Sequence, residues 1–247
     1  QFIQFRNNIP VNTTVEEFTS IFGKPSINEI EKYSLIKNRV NNDVLEKKLE
    51  ILYKYRDMLF ISDWVRYVGV TGSIAAGSVK EDDDIDIFVV VRNGRMWIYR
   101  GLMLLKMIGK SRKARKDYQR DLFCINMIIE ERGLKFEEDL FTFHELMMMK
   151  NVFNYAYKDY ILSINKWIKK FGYRESNVSL SGYYPDSKIS WKLRLANWGA
   201  YVAQVLYMIL LNHKPNLEKI KKENKEGKIQ FYRPGFKEEK LKLINSI

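Results

Sequence analysis

From Val44 to Met58 the apolar positions Val44, Leu45, Leu49, Ile51, Leu52 and Tyr55 recur at roughly helical spacing, which predicts an amphipathic helix. The period then changes. Trp64 to Val70 is rich in β-branched and aromatic residues and stops at Thr71-Gly72-Ser73, the pattern of a strand entering a tight turn. Ile74 to Val79 is short and small-sided, enough for one or two helical turns. Ile85 to Val91 is almost continuously β-branched, as a central strand buried on both faces requires, and it ends in the turn Arg92-Asn93-Gly94. Met96 to Ile108 sets Trp97, Leu102, Leu104, Leu105 and Ile108 beside Lys106, which predicts a helix packed on that sheet. Leu122 to Ile129 reads as a third strand.

From Glu137 onward no comparable strand is expected. Leu140 to Met149, Tyr157 to Phe171, Ile189 to Leu211 and Leu217 to Lys225 all favour helices, with a loop at 176–185 around Gly182 and Pro185. The residues before Asn42 read as irregular, with turn signals at Ile9-Pro10 and Gly23-Lys24-Pro25. The expected fold is therefore α+β: a small mixed sheet with flanking helices, followed by a mainly helical lobe. The corresponding division is an N-terminal extension and helix over 1–60, a strand-and-helix core over 61–135, and a helical domain over 136–247.

With 247 residues, 46% of them hydrophobic, the chain can bury one sizeable core. A single cysteine, Cys124, excludes an intrachain disulfide, and two histidines leave no Cys/His zinc cluster. Cys124 sits inside an apolar run and reads as a buried thiol, not a nucleophile. A cytoplasmic setting is expected. The longest stretch free of Lys, Arg, Asp and Glu, Leu195 to His213, contains Asn197, Gln204 and Asn212, so a buried helix is expected there and not a membrane span, which needs roughly 20 apolar residues.

The chemistry concentrates between Val70 and Val91. Gly72-Ser73 follows one strand, ten residues intervene, and Asp84-Ile85-Asp86-Ile87 opens the next. Strand alternation directs Asp84 and Asp86 to one face and Ile85 and Ile87 to the other. Two carboxylates so close raise each other's proton affinity, and a cation relieves that conflict. Magnesium, or manganese, fits, because it takes oxygen ligands and commonly combines one or two carboxylates with substrate phosphates. Gly72 allows close backbone approach to phosphate, and Ser73 offers its hydroxyl and the amides of a helix start.

This segment resembles the DNA polymerase β-type nucleotidyltransferase superfamily, whose signature is an apolar residue, Gly, Gly or Ser, a spacer of about this length, then Asp-apolar-Asp/Glu-apolar. The resemblance implies transfer of a nucleoside monophosphate from a nucleoside triphosphate to an acceptor hydroxyl. It makes Asp84 and Asp86 catalytic metal ligands and Gly72, Ser73 and Lys80 nucleotide contacts. The family adds a third acidic residue on a later strand. Asp121, at the start of the third predicted strand, is the candidate catalytic and metal-binding residue for that role; Asn126 is the alternative occupant of that active-site position, but a neutral amide cannot serve as a strong base. The later text, Glu138-Asp139-Leu140-Phe141-Thr142-Phe143-His144-Glu145-Leu146 and Asn165-Lys166-Trp167-Ile168-Lys169-Lys170-Phe171, is similar to an uncharacterised microbial branch of such proteins.

Charge bears on the acceptor. Forty-two Lys and Arg against 30 Asp and Glu give +12, and the stretch from Arg92 to Arg120 carries ten basic residues and one acid. Arg92, Lys110, Arg112 and Lys113 are candidates to contact phosphate or an RNA acceptor such as a tRNA end, and Lys166 is a further one. A solvated basic loop accounts for the same charges. Asp82, Asp84 and Asp86 also spell D-x-D-x-D, but Ile87 and Asn93 stand where a calcium loop needs Gly and Glu. A non-catalytic nucleic-acid-binding or toxin–antitoxin module that retains the fold is the alternative function.

Overall fold

The computed structural model describes residues 42–76, 79–114, 123–171, 189–210 and 216–230, with the backbone alone for 42, 76, 107–114, 140 and 171. The stretch before Asn42, the loop expected at 176–185 and Asp121 lie outside the described residues. In chain order the elements are helix α1 (Asn42–Tyr55), strand β1 (Val65–Val70), α2 (Gly72–Ala76), β2 (Ile85–Val91), α3 (Met96–Ala114), β3 (Phe123–Glu130), α4 (Leu140–Met148), β4 (Lys150–Phe153), α5 (Tyr155–Ile164), α6 (Trp191–Leu210), α7 (Leu217–Glu226) and β5 (Lys228–Gln230). The strands pair in the order β4-β1-β2-β3-β5. β3 runs parallel to β2, and the other three pairings are antiparallel. The fold is α+β around a mixed sheet.

Alternation along β2 builds two cores. Ile85, Ile87, Val89 and Val91 join Leu52 of α1 and Trp97 and Met103 of α3 on one face. Phe88 and Val90 join Tyr67, Met127 and the helices α4 and α5 on the other. Five aliphatic side chains of β2 are fully buried, each worth about 1.5–3 kcal/mol, so the strand is held from both sides. Asp86 is the polar interruption in the second face, two residues from Phe88.

Two strands form where only helices are expected. β4 (Lys150-Asn151-Val152-Phe153) pairs with the outer edge of β1, and β5 (Lys228-Ile229-Gln230) with the outer edge of β3. Both are short edge strands without a two-residue hydrophobic period, and their backbone pairing comes from the neighbour already in place. The helix expected over Tyr157 to Phe171 begins earlier and stops at Ile164. Buried Asn165 ends it, giving its side-chain amide to the carbonyls of Leu134 and Ile161 while its Oδ1 accepts the N–H of Phe136.

The helix expected over Ile189 to Leu211 is present as α6, but the expectation that it is buried fails. Its inner side packs on α3 through Tyr201 against Trp97, with Asn197 and buried Gln204 bonding the Trp97 backbone. Trp191, Leu195, Trp198, Leu206, Tyr207, Ile209 and Leu210 stay exposed. An apolar pattern on all sides does not say which side finds a partner. Among the described residues no helix is long and apolar enough to cross a membrane.

Pairing register brings the chemistry to one end of the sheet. β1 ends there while β2, β3 and β4 begin there, with Val70 opposite Ile87 and Lys150, and Ile85 opposite Phe123. Buried carboxylates close the other end. Glu130 accepts the Gly94 N–H at 2.9 Å and Arg132 Nε at 2.7 Å, and Glu131 accepts Arg66 Nε at 2.9 Å. Through these donors the two acids hold turns and strands.

Candidate active site

The turn from β1 into α2 is fixed on β2 by its backbone. Thr71 N–H donates to the Asp86 carbonyl at 2.9 Å, which sets Gly72 beside the Asp86 side chain. Gly72 has φ +66°, and a Cβ there would overlap Asp86 Oδ2. Glycine is thus required for its conformation and for the room the carboxylate needs. Ser73 follows, its Oγ buried and without a hydrogen-bond partner among the described residues. A buried hydroxyl in that state costs on the order of 1–3 kcal/mol, which a ligand oxygen would recover.

Asp84 is exposed just ahead of β2 and Asp86 is half-buried within it. Asn126 Nδ2 reaches across from β3 and donates to Asp86 Oδ1 at 2.5 Å. Cys124 donates its S–H to Asn126 Oδ1 at 3.1 Å. Burial first, then the charges of Asp86 and Asp84, push the Cys124 thiol up to about 11, so the fields of both carboxylates meet at this one side chain. Such a thiol is uncharged at pH 8. In EDTA at that pH, iodoacetamide should alkylate it on the order of 100-fold more slowly than free cysteine, accelerating as pH approaches 11. Alkylation at the free-cysteine rate, read by mass spectrometry, would contradict this arrangement.

A lysine missed by the sequence reading holds the segment that carries Asp84. Lys48 of α1 is buried, and its ammonium donates to the carbonyls of Glu81 at 2.9 Å and Asp83 at 2.8 Å. The signal was there: 44, 48 and 52 share one helical face, and a lysine between Val44 and Leu52 interrupts an apolar stripe. Lys48→Met should cost about 1–3 kcal/mol, because both carbonyls lose a charged donor. Urea unfolding measures it, and hydrogen exchange over 81–84 should rise with it. Lys150 was missed as well. It opens β4 opposite Val70, exposed at the carboxylate end, and together with burial its charge lowers the neighbouring Lys158 ammonium to about 8.

The other predicted site residues scatter. Lys80 lies exposed on the turn before Asp84, its N–H on Asp83 Oδ2 at 2.9 Å. Arg92 sits past the far end of β2, on the order of 20 Å from Asp86, ion-paired with Asp63 at 2.9 Å. Lys166 is exposed after Asn165. Lys110, Arg112 and Lys113 belong to the last turns of α3. Because β2 and β3 are parallel, the chain between them must return to the end where β2 began, and α3 is the described part of that return.

On the Asp86 face, a narrow pocket lies between Thr71, Phe88, Met127, Phe141, Leu146 and Met149. It adjoins a wider polar one edged by Lys219, Lys222, Lys228 and Glu223. Among the described residues no group of three or more His, Cys, Asp or Glu is arranged to hold a metal ion. Two carboxylates at the sheet end where the β1–α2 turn leaves the Ser73 hydroxyl without a partner among the described residues suit magnesium, which completes its octahedron with water and substrate phosphate. The family model described as nucleotidyltransferase domain matches residues 56–192, more than half of the chain. No curated protein and no solved structure matches it.

Proposed function

Since this chain belongs to the nucleotidyltransferase domain family, we propose that it transfers a nucleoside monophosphate from a nucleoside triphosphate to an acceptor hydroxyl, with pyrophosphate leaving, and that it needs magnesium or manganese to do so. The observation that carries this reading is the placing of Ser73, whose buried hydroxyl has no partner among the described residues, at the same sheet end as Asp84 and Asp86.

Asp84 and Asp86 would hold the ion. Bound there, it would offset triphosphate charge and stabilise the attacking and leaving oxygens. Ser73 donates its hydroxyl to a phosphate oxygen, and Lys150 adds positive charge at the same edge. Lys48 keeps the Asp84 segment in place, so that the catalytic contribution of these residues is positioning and electrostatics. In this reading Asp121, two residues ahead of β3, is the third ligand and takes the proton of the acceptor hydroxyl. RNA is the acceptor class, supported by the return of α3 with Lys110, Arg112 and Lys113 to the carboxylate end.

The test incubates each labelled nucleoside triphosphate with total RNA and magnesium or manganese. Incorporation that depends on the ion and disappears in Asp84→Asn and Asp86→Asn supports the proposal. RNA binding without incorporation, equal in both variants, would point to a non-catalytic module of the same fold.

A further inference from the structure

β3 reaches the carboxylate pair with an amide. Along the parallel β2–β3 ladder the register slips by one: Ile87 faces Ile125, but Phe88 faces Met127, so Asn126 is the extra residue of a bulge. Bulges are uncommon between parallel strands, and they re-aim side chains. Past the bulge, Met127 and Ile129 face the α4–α5 core while Ile128 faces the α1–α3 core. Asn126 is thereby presented on the Asp86 side without taking a place opposite Phe88.

The amide is also oriented. Asn126 has a donor end and an acceptor end, and exchanging them would turn its carbonyl oxygen toward the Asp86 carboxylate. The acceptor-only Asp86 carboxylate opposes that, and the Cys124 thiol reinforces the orientation by donating to Oδ1, with Nδ2 directed at Asp86 Oδ1. On the other side, Asp86 Oδ2 abuts the backbone of Gly72. The carboxylate is therefore gripped at both oxygens, by an oriented neutral donor and by a glycine.

We infer that Asn126 is the positioning residue for Asp86: it sets the rotamer in which that carboxylate receives a divalent cation, and Cys124 reinforces the orientation of Asn126. The inference rests on the proposed role of Asp86 as a metal ligand. A hydrogen-bonded ligating carboxylate is pre-oriented and loses less freedom on binding, and loss of such a partner typically weakens metal affinity 10–100-fold. A neutral amide does this without adding a negative charge, so the affinity of the pair stays dependent on substrate phosphates to complete the coordination.

The experiment titrates Mn2+ into the full chain, with and without a non-hydrolysable nucleoside triphosphate, reading free Mn2+ by electron paramagnetic resonance. Asn126→Ala should raise the Mn2+ Kd about 10–100-fold, with a thermal midpoint in EDTA close to that of the unaltered protein. Asn126→Asp, which brings a charged ligand to the same place, should bind Mn2+ more tightly than the unaltered chain. Cys124→Ser, which keeps a donor, should retain the affinity, and Cys124→Ala should lose part of it. Unaltered Mn2+ binding by Asn126→Ala, while Asp86→Asn loses it, overturns the positioning role and leaves the metal reading standing. If the unaltered protein binds no Mn2+, or Asp86→Asn binds it normally, the metal reading falls and this inference with it.

Discussion

Asp86→Asn should reduce metal-dependent nucleotide incorporation by on the order of 1,000-fold, equivalent to about 4 kcal/mol of transition-state stabilisation, and leave the fold intact. The asymmetry follows from where the residue sits. Ile85 and Ile87 anchor β2 on the opposite face at full burial, and the backbone bond from Thr71 N–H to the residue 86 carbonyl needs no side chain. An isosteric amide preserves the strand while removing the charge that a divalent cation requires. The ion-free protein should be at least as stable as before, because one of two neighbouring negative charges is gone. The comparison is single-turnover incorporation beside thermal unfolding in EDTA. A midpoint lowered by several degrees together with lost incorporation would mean that Asp86 is structural.

Gly72→Ala should combine the two losses that Asp86→Asn separates. At φ +66° a non-glycine residue costs about 1–2 kcal/mol, and the added methyl meets the carboxylate side chain itself. Either Asp86 turns away, breaking its bond from Asn126, or the turn lifts and takes Ser73 with it. Incorporation should fall about as far as in Asp86→Asn, now with a lower denaturation midpoint and weaker Mn2+ binding. Gly69→Ala is the control. Its Cβ would press on Met149 and the Tyr67 hydroxyl in the α4–α5 core, so it should destabilise the fold without a comparable change in Mn2+ affinity per folded molecule. If Gly72→Ala kept full incorporation and Mn2+ affinity, the close packing of the turn against Asp86 would have no functional consequence.

The elements readable from periodicity are those in which local pattern and burial agree. β2 occupies the predicted residues, β3 is shifted by one, and α3 starts where expected but runs on to Ala114, because a continuous β-branched run or a helical stripe marks a buried surface whatever covers it. β4 and β5 lack such a stripe. Their strand state comes from the open edges of β1 and β3, which are far from them in sequence. The failure at α6 is of the opposite kind: the pattern was strong, but it names apolar sides without saying which one is covered.

The same division runs through the site. Gly72, Ser73, Asp84 and Asp86 lie within one strand–turn–strand unit, so their spacing alone brings them together, and the amino-acid order determined both the family and the pair of carboxylates. Asn126, which the sequence names as a candidate without its contacts, and Lys48 and Lys150, which it does not name, come from the parallel neighbour strand, from a helix 36 positions before Asp84 and from an edge strand. Only pairing register and helix packing bring them to the same end of the sheet, because a contact between residues distant in sequence is a property of the assembled layers and leaves no local period behind. The sequence by itself determined which charges must share a site. The tertiary structure decided how they are held: a buried lysine under the segment that carries Asp84, a glycine against one oxygen of Asp86, and a bulged asparagine on the other.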